Sequence, residues 1–313
     1  MFVRRIVGRV VVYYVLTCLV LAVGFGKMAF RIPRLPVADR QSFQTTAASF
    51  GAELQDVSVV ASDAVVLRAW FARPATSNGD AVILLHGIGD NRQGMTGFAE
   101  LFLSKGYEVL LPDLRAHGTS GSNYPTYGIK EADDVQHWFR WLVTQQHPAC
   151  VFGMGESMGA AIILQAVSTT PFCGVVAESP FANFRQIAYI RVGQMFHIGS
   201  WLGKIVLRPA VELALVYGKL TRGVDLAQVS PQNSVARSTI PILLIHGLAD
   251  DNIPAQQSEM IRSQNPEDVA LWEVPKAGHC GAVNVAEKEF NLRVLGWFSS
   301  HHASQSLRSA LNR

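Results

Sequence analysis

Gly155 and Gly159 bracket a hydroxyl in Gly155-Glu156-Ser157-Met158-Gly159, where the apolar run Cys150 to Phe152 gives way to a helix-compatible run opening Ala160-Ala161. A serine on so sharp a strand-to-helix turn is held in a strained backbone conformation, and the residues two before and two after it must be nearly free of side chain. The first NH groups of a helix lack partners within it, so the Met158 NH can stabilise negative charge on an oxygen beside the serine. The chemistry such a turn serves is nucleophilic attack by Ser157. An idle serine in a glycine-rich turn fits the same five residues, so a base, an acid and a second NH donor must come from elsewhere.

A serine hydroxyl attacks at neutral pH when a histidine removes its proton and a carboxylate holds that histidine in the right tautomer. On a serine turn of this type the chain order is nucleophile, acid, histidine. The apolar run Ile242 to Ile245 leads into His246-Gly247-Leu248-Ala249-Asp250-Asp251, which sets Asp250 on a loop at the carboxyl end of a parallel strand, where open α/β sheets bind ligands. The run Ala270 to Val274 leads into Lys276-Ala277-Gly278-His279, setting His279 at the same edge. Asp250 is preferred over Asp251, which points away on an extended loop, and over Glu178, an acid displaced by one strand. His117, His197, His301 and His302 lie in the wrong segments for the base, and His86 and His246 read as structural hydrogen-bonders. The second oxyanion donor is expected from the loop His86-Gly87-Ile88-Gly89, at the Ile88 NH. Arg92, on the same loop, reads as a solvated charge or an anchor for an acidic substrate group.

These residues need a sheet to bring them to one edge. Val57–Ala61 and Val65–Phe71, separated by Ser62-Asp63, read as an opening hairpin. Apolar runs then alternate with helical stretches from residue 81 to 298, the pattern of βαβ units and a mostly parallel sheet. The exception is 181–238, too long for a simple crossover. It carries Ile187, Ile190, Ile198, Trp201, Leu202, Ile205 and the run Val211–Tyr217, with Arg185, Arg191, Lys204, Arg208 and Lys219 interspersed. We read it as a helical cap insertion with a greasy face, able to line an acyl pocket or rest on lipid; an ordinary packed subdomain is the alternative.

Val10 to Gly26 holds 17 residues without a charge, and Ile6 to Gly8 extend it to about the 20 that span a bilayer if Arg9 snorkels. Residues 1–27 therefore read as a membrane anchor, with a cleaved signal peptide as the alternative. Basic residues flank both ends, and a catalytic domain outside the cytoplasm is slightly favoured. Residues 28–52 read as a tether, 53–298 as the main domain and 299–313 as a flexible tail. The net charge of +3 is too small and too scattered for a nucleic-acid partner. The four cysteines form no metal-ligand or redox spacing, so neither metal nor cofactor is expected. Cys150 and Cys173 begin neighbouring strands, where buried free thiols are expected and a disulfide is the alternative.

His86-Gly87 with Asn91, Asp113 to Ser120, Gly155 to Gly159, His246-Gly247 with Asp250 and Pro254, and Gly278-His279 together resemble the α/β-hydrolase superfamily, nearest its serine-aminopeptidase-like and monoacylglycerol-lipase-like branch. The resemblance covers about residues 53 to 298. It implies the α/β-hydrolase fold, Ser157 as nucleophile, Asp250 as acid, His279 as base, and the Ile88 and Met158 NH groups as oxyanion hole. It also implies cleavage of an ester or thioester in a small-molecule or acylated substrate through an acyl-enzyme. Two positions depart from the pattern: Ala116 stands where the family usually has glycine, and Cys280 follows the histidine. A peptidase using the same three residues and a non-catalytic membrane-tethered binding protein are the other classes.

Overall fold

The computed structural model describes residues 2–197 and 205–311, with side chains through His302. Its core is one eight-stranded sheet, formed by β1 (Glu53–Val60), β2 (Val66–Arg73), β3 (Asp80–Leu85), β4 (Glu108–Pro112), β5 (Cys150–Glu156), β6 (Gly174–Glu178), β7 (Ile242–Gly247) and β8 (Val269–Val274). The spatial order is β1-β2-β4-β3-β5-β6-β7-β8. β2 pairs antiparallel with β1 and β4, and every later pairing is parallel. Residues of β3, β4, β6 and β7 are buried throughout, which is why these strands read as continuous apolar runs: helices cover both faces of a parallel sheet.

The helices are α1 (Phe2–Phe30), α2 (Arg40–Ser49), α3 (Thr96–Leu103), α4 (Glu131–Gln145), α5 (Met158–Ala166), α6 (Phe184–Met195), α7 (Arg208–Arg222), α8 (Pro231–Val235), α9 (Gln256–Arg262) and α10 (Ala282–Leu311). The chain divides into two compact units. One comprises Pro33–Ala182 and Ser230–Arg313 and holds the sheet. The other comprises Met1–Ile32 and Asn183–Val229, so the apolar N-terminal helix groups with the insertion rather than with the sheet. Within that second unit α1 packs along α7, and Tyr189, Val192, Leu207 and Val211 form a small core against Leu21 and Phe25. Ile198, Trp201, Leu202 and Lys204 of the insertion lie outside the described residues.

Three expectations are corrected. The segment read as a tether is built into the sheet unit from Pro33 onward, because its polar run hides an amphipathic helix. Asp39 caps α2 by accepting the Ser42 NH at 2.9 Å. Phe43 and Ala47, one turn apart, face the core, and Phe43 stacks on Trp70 at 5.6 Å. The chain after Phe298 continues α10 as helix, with His302 Nδ1 at 3.1 Å from an Asp80 carboxylate oxygen. Cys150 and Cys173 are joined in a disulfide. The parallel register that sets Phe152 opposite Gly174 brings the two strand starts to a Cα separation of 5.7 Å, within reach of a bridge.

Removing the Phe43 ring leaves a cavity beside Trp70. We expect Phe43→Ala to destabilise the sheet unit by about 3 kcal/mol or more, read as a lowered urea midpoint; a change below about 1 kcal/mol would mean that residues 33–52 are a tether after all.

Candidate active site

The turn at Ser157 is as tight as its glycines imply. Ser157 has φ 51° and ψ −112°, a region that L-residues avoid unless their surroundings hold them there. Its NH donates to the Glu178 carbonyl at 2.8 Å, which ties the turn to the end of β6. A Cβ on Gly155 would lie 2.5 Å from the Gly159 carbonyl carbon, and one on Gly159 would run into the Leu85 carbonyl oxygen. Any side chain at either position would force β5, α5 and β3 apart.

Ser157, His279 and Asp250 form one hydrogen-bonded chain. Ser157 Oγ lies 2.9 Å from His279 Nε2, and His279 Nδ1 lies 2.8 Å from Asp250 Oδ2. The other Asp250 oxygen accepts the Asn252 and Ile253 NH groups, each at 2.9 Å. Burial opposes charge on Asp250, yet hydrogen bonds from His246, His279 and the Ile253 NH together hold its carboxyl well below the usual range. It is therefore ionised at neutral pH. Asp251 is exposed. Glu178 does not contact His279 by hydrogen bond; its Oε1 accepts the Ala282 NH at 2.9 Å instead, pinning the loop just past the histidine.

The Met158 NH, at the first position of α5, and the Ile88 NH have no hydrogen-bond partner among the described residues. The loop carrying Ile88 is braced by His86, the structural hydrogen-bonder expected, and by His117, whose part the sequence did not reveal. His86 Nδ1 donates to the Gly87 carbonyl at 2.7 Å and its Nε2 accepts the Leu114 NH at 3.0 Å. His117 Nε2 accepts the Gly89 NH at 3.2 Å, while its Nδ1 donates to the Arg115 carbonyl. Both rings are thus neutral, and burial lowers the pKa of each, that of His86 to about 4. His246 is structural as expected, bonded to Ser258 Oγ and the Ile253 carbonyl.

Arg92 is neither solvated nor free to bind substrate. It is 3% exposed, pairs with Asp113 at 2.6 Å, contacts Thr119 Oγ1 and lies over the Trp70 ring. Asp113 also takes the Thr119 NH at 2.7 Å, and Arg115 pairs with Asp134 at 2.6 Å. Ala116 adopts φ 65°, the left-handed region that explains why glycine is the residue expected there. Cys280 also has positive φ; burial is the largest influence raising its thiol pKa, with Glu156, Glu178 and Asp250 adding to it, which leaves it protonated and inert.

One group of metal-ligand types occurs among the described residues: Asp80, Cys150 and His302, with candidate atoms within 4.8 Å of one another. It lies at the strand starts, away from Ser157, and the Cys150 sulfur is already bonded to Cys173. We assign it no metal chemistry.

Comparison with known proteins bears on the family and the fold. The sequence model of the Alpha/beta hydrolase family matches residues 82–291. An uncharacterized Bacillus subtilis protein, YqkD, is 30% identical over 205 residues, 64% of this chain and 65% of the relative, so the matched stretch spans just under two thirds of that protein. A thermostable monoacylglycerol lipase from Bacillus sp. is 26% identical over 228 residues, 70% of this chain and 90% of the lipase. Among solved structures, an esterase of Pyrococcus furiosus superposes with a TM-score of 0.69 at 25% identity, covering 87% of this chain and 98% of the esterase.

Two carboxyls, that of Glu178 buried and that of Glu156 half-buried, sit beside the serine. Glu156 and Glu178 are register partners on β5 and β6. Burial, together with their mutual repulsion in the case of Glu156, pushes Glu156 up to about 8; burial pushes Glu178 up to about 7. A folded pKa raised above the unfolded value of 4.5 means that the folded chain binds more protons. The stability these groups contribute is full below about pH 4.5 and is lost as pH rises through about 7 to 8. Glu178→Gln, which fixes the neutral form and keeps an acceptor for Ala282, should raise the thermal midpoint at pH 8 more than at pH 5; an equal shift at both would show that Glu178 is charged throughout.

Proposed function

The chain belongs to the Alpha/beta hydrolase family, and on that premise we propose that this hydrolase cleaves carboxylic ester or thioester bonds through an acyl-enzyme. The observation that carries the reading is the unbroken hydrogen-bond chain from Ser157 Oγ through His279 to Asp250. Ser157 Oγ attacks the substrate carbonyl carbon while its proton passes to His279 Nε2. Ionised Asp250 holds His279 with Nδ1–H toward it and stabilises the imidazolium that forms. The carbonyl oxygen, now an oxyanion, receives the Ile88 and Met158 NH groups. Collapse expels the alcohol or thiol with the proton from His279, and water, activated by the same histidine, releases the acid.

The substrate class is lipid-like or acylated. Support comes from the lipase relative, from the apolar insertion, and from α1, which is long and apolar enough to cross a membrane. We read α1 as a single-pass anchor, with the hydrolase outside the cytoplasm. The Cys150–Cys173 disulfide favours that side, because disulfides persist in oxidising compartments.

Three measurements test these assignments. A fluorophosphonate probe should label the wild-type chain and not Ser157→Ala; labelling that survives the substitution would overturn the nucleophile. His279→Ala should lower kcat by about 10⁴-fold or more. With p-nitrophenyl esters of rising length, kcat/KM should increase from acetyl to medium or long acyl groups, whereas a steady decline from acetyl onward would rule out a lipid-like acyl chain.

A further inference from the structure

The second unit presents an apolar surface that a helix packed in water would not carry. In α7, Val211, Leu215 and Gly218 lie on one side and are buried. Leu213, Val216 and Leu220 recur at three- and four-residue spacing on the opposite side and are 38%, 50% and 80% exposed. The helix is therefore apolar on two faces, where a surface helix of a soluble protein has one.

The buried face shows what it lies along. Cys18, Ala22, Gly26 and Phe30, one turn apart, are the buried residues of α1. Gly26 faces Tyr217 and Phe30 faces Gly218, and Tyr14 Oη donates to the Val206 carbonyl at 2.7 Å. Numbers rise together on both helices, so α7 runs parallel to α1, beside its second half. Residues 2 to 17 of α1 are exposed on every side. At ~1.5 Å per residue that bare stretch is ~24 Å long, short of the ~30 Å of a hydrocarbon core. With Arg4, Arg5 and Arg9 toward one headgroup layer and Lys27 and Arg31 toward the other, a span of ~20 residues must include the part of α1 that α7 covers.

Resting on the reading of α1 as an anchor, we infer that α1 is retained in the mature protein as a structural partner of α7, and that the Leu213–Val216–Leu220 face of α7 enters the phospholipid bilayer alongside it. Removal of the apolar segment as a cleaved signal peptide would strip the buried face of α7 of much of its cover. Lys219, next to the Gly218 that faces Phe30, falls near the level of Arg31, where basic side chains meet headgroups. Glu212 is paired with Arg185 at 3.2 Å and accepts the Tyr189 hydroxyl, so its charge is offset within the unit. Arg208 is exposed, and in the bilayer its head must snorkel.

The test uses the full chain, tagged at both ends, in vesicles containing anionic lipid, with Cys18→Ala and Cys280→Ala removing the free thiols. An environment-sensitive fluorophore is attached at Leu213→Cys, Val216→Cys or Leu220→Cys, and at Val60→Cys, an exposed position of β1, as the water control. Lipids bearing a spin label on the acyl chain should quench the α7 probes several-fold more than the Val60 probe. If the N-terminal tag stays with the vesicles and the α7 probes are quenched no more than Val60, the inference falls and the anchor stands. A mature chain lacking the N-terminal tag overturns both. Shielding that persists in detergent and rises with protein concentration assigns the face to a second copy instead and overturns the lipid contact.

Discussion

The constraint on which the site depends is the positive φ of Ser157. A strained residue persists only where its neighbours hold it, and here the holding is done by backbone. The Ser157 NH is bonded to the end of β6, and α5 passes so close to β3 that Gly159 has no room for a Cβ. The strain has a chemical consequence: it lifts the hydroxyl out of the helix and leaves the Met158 NH aimed past the turn. Because β6 both anchors Ser157 and, through Glu178, pins the loop after His279, displacement of this one strand would misplace Ser157 and His279 together.

A second layer of buried charge and imidazole braces the loop that offers the Ile88 NH. Arg92, Asp113, Thr119, His86 and His117 satisfy one another and the surrounding backbone with few polar atoms left over; Arg92 Nε is unpartnered in the structure. Buried ion pairs of this kind seldom add net stability over apolar packing, but breaking one partner leaves a costly orphan. Their evident effect here is positional. The loop contains glycines at 87 and 89 and would otherwise sample many conformations, and the proposed role of the Ile88 NH requires it to be already aimed when negative charge appears.

The N-terminal helix and the insertion form one unit although roughly 150 residues of sequence separate them. Each is an incomplete element alone: α7 has a face that needs covering, and α1 has a stripe of small residues that lets another helix approach. Packing between them supplies what each lacks, which ties the apolar N-terminal helix to the segment inserted between Ser157 and Asp250.

The sequence by itself determined the sheet, the order of its strands along the chain, and the three residues of the hydrogen-bonded chain at Ser157. Those features rest on local signals: buried parallel strands need unbroken apolar runs, and a tight turn needs glycine within two residues of the serine. Asp250 and His279 were legible because a parallel sheet delivers every strand's carboxyl end to one edge. Only the tertiary structure decided the rest, since each outcome turns on neighbours distant in sequence. Arg92 looked like a surface charge because nothing nearby in sequence announces Asp113 as its partner. Residues 39–49 looked like a tether because Phe43 and Ala47 are sparse apolar positions whose worth depends on Trp70. The Cys150–Cys173 bond depended on the register of β5 against β6, and the pairing of α1 with α7 on complementary surfaces that no local periodicity encodes.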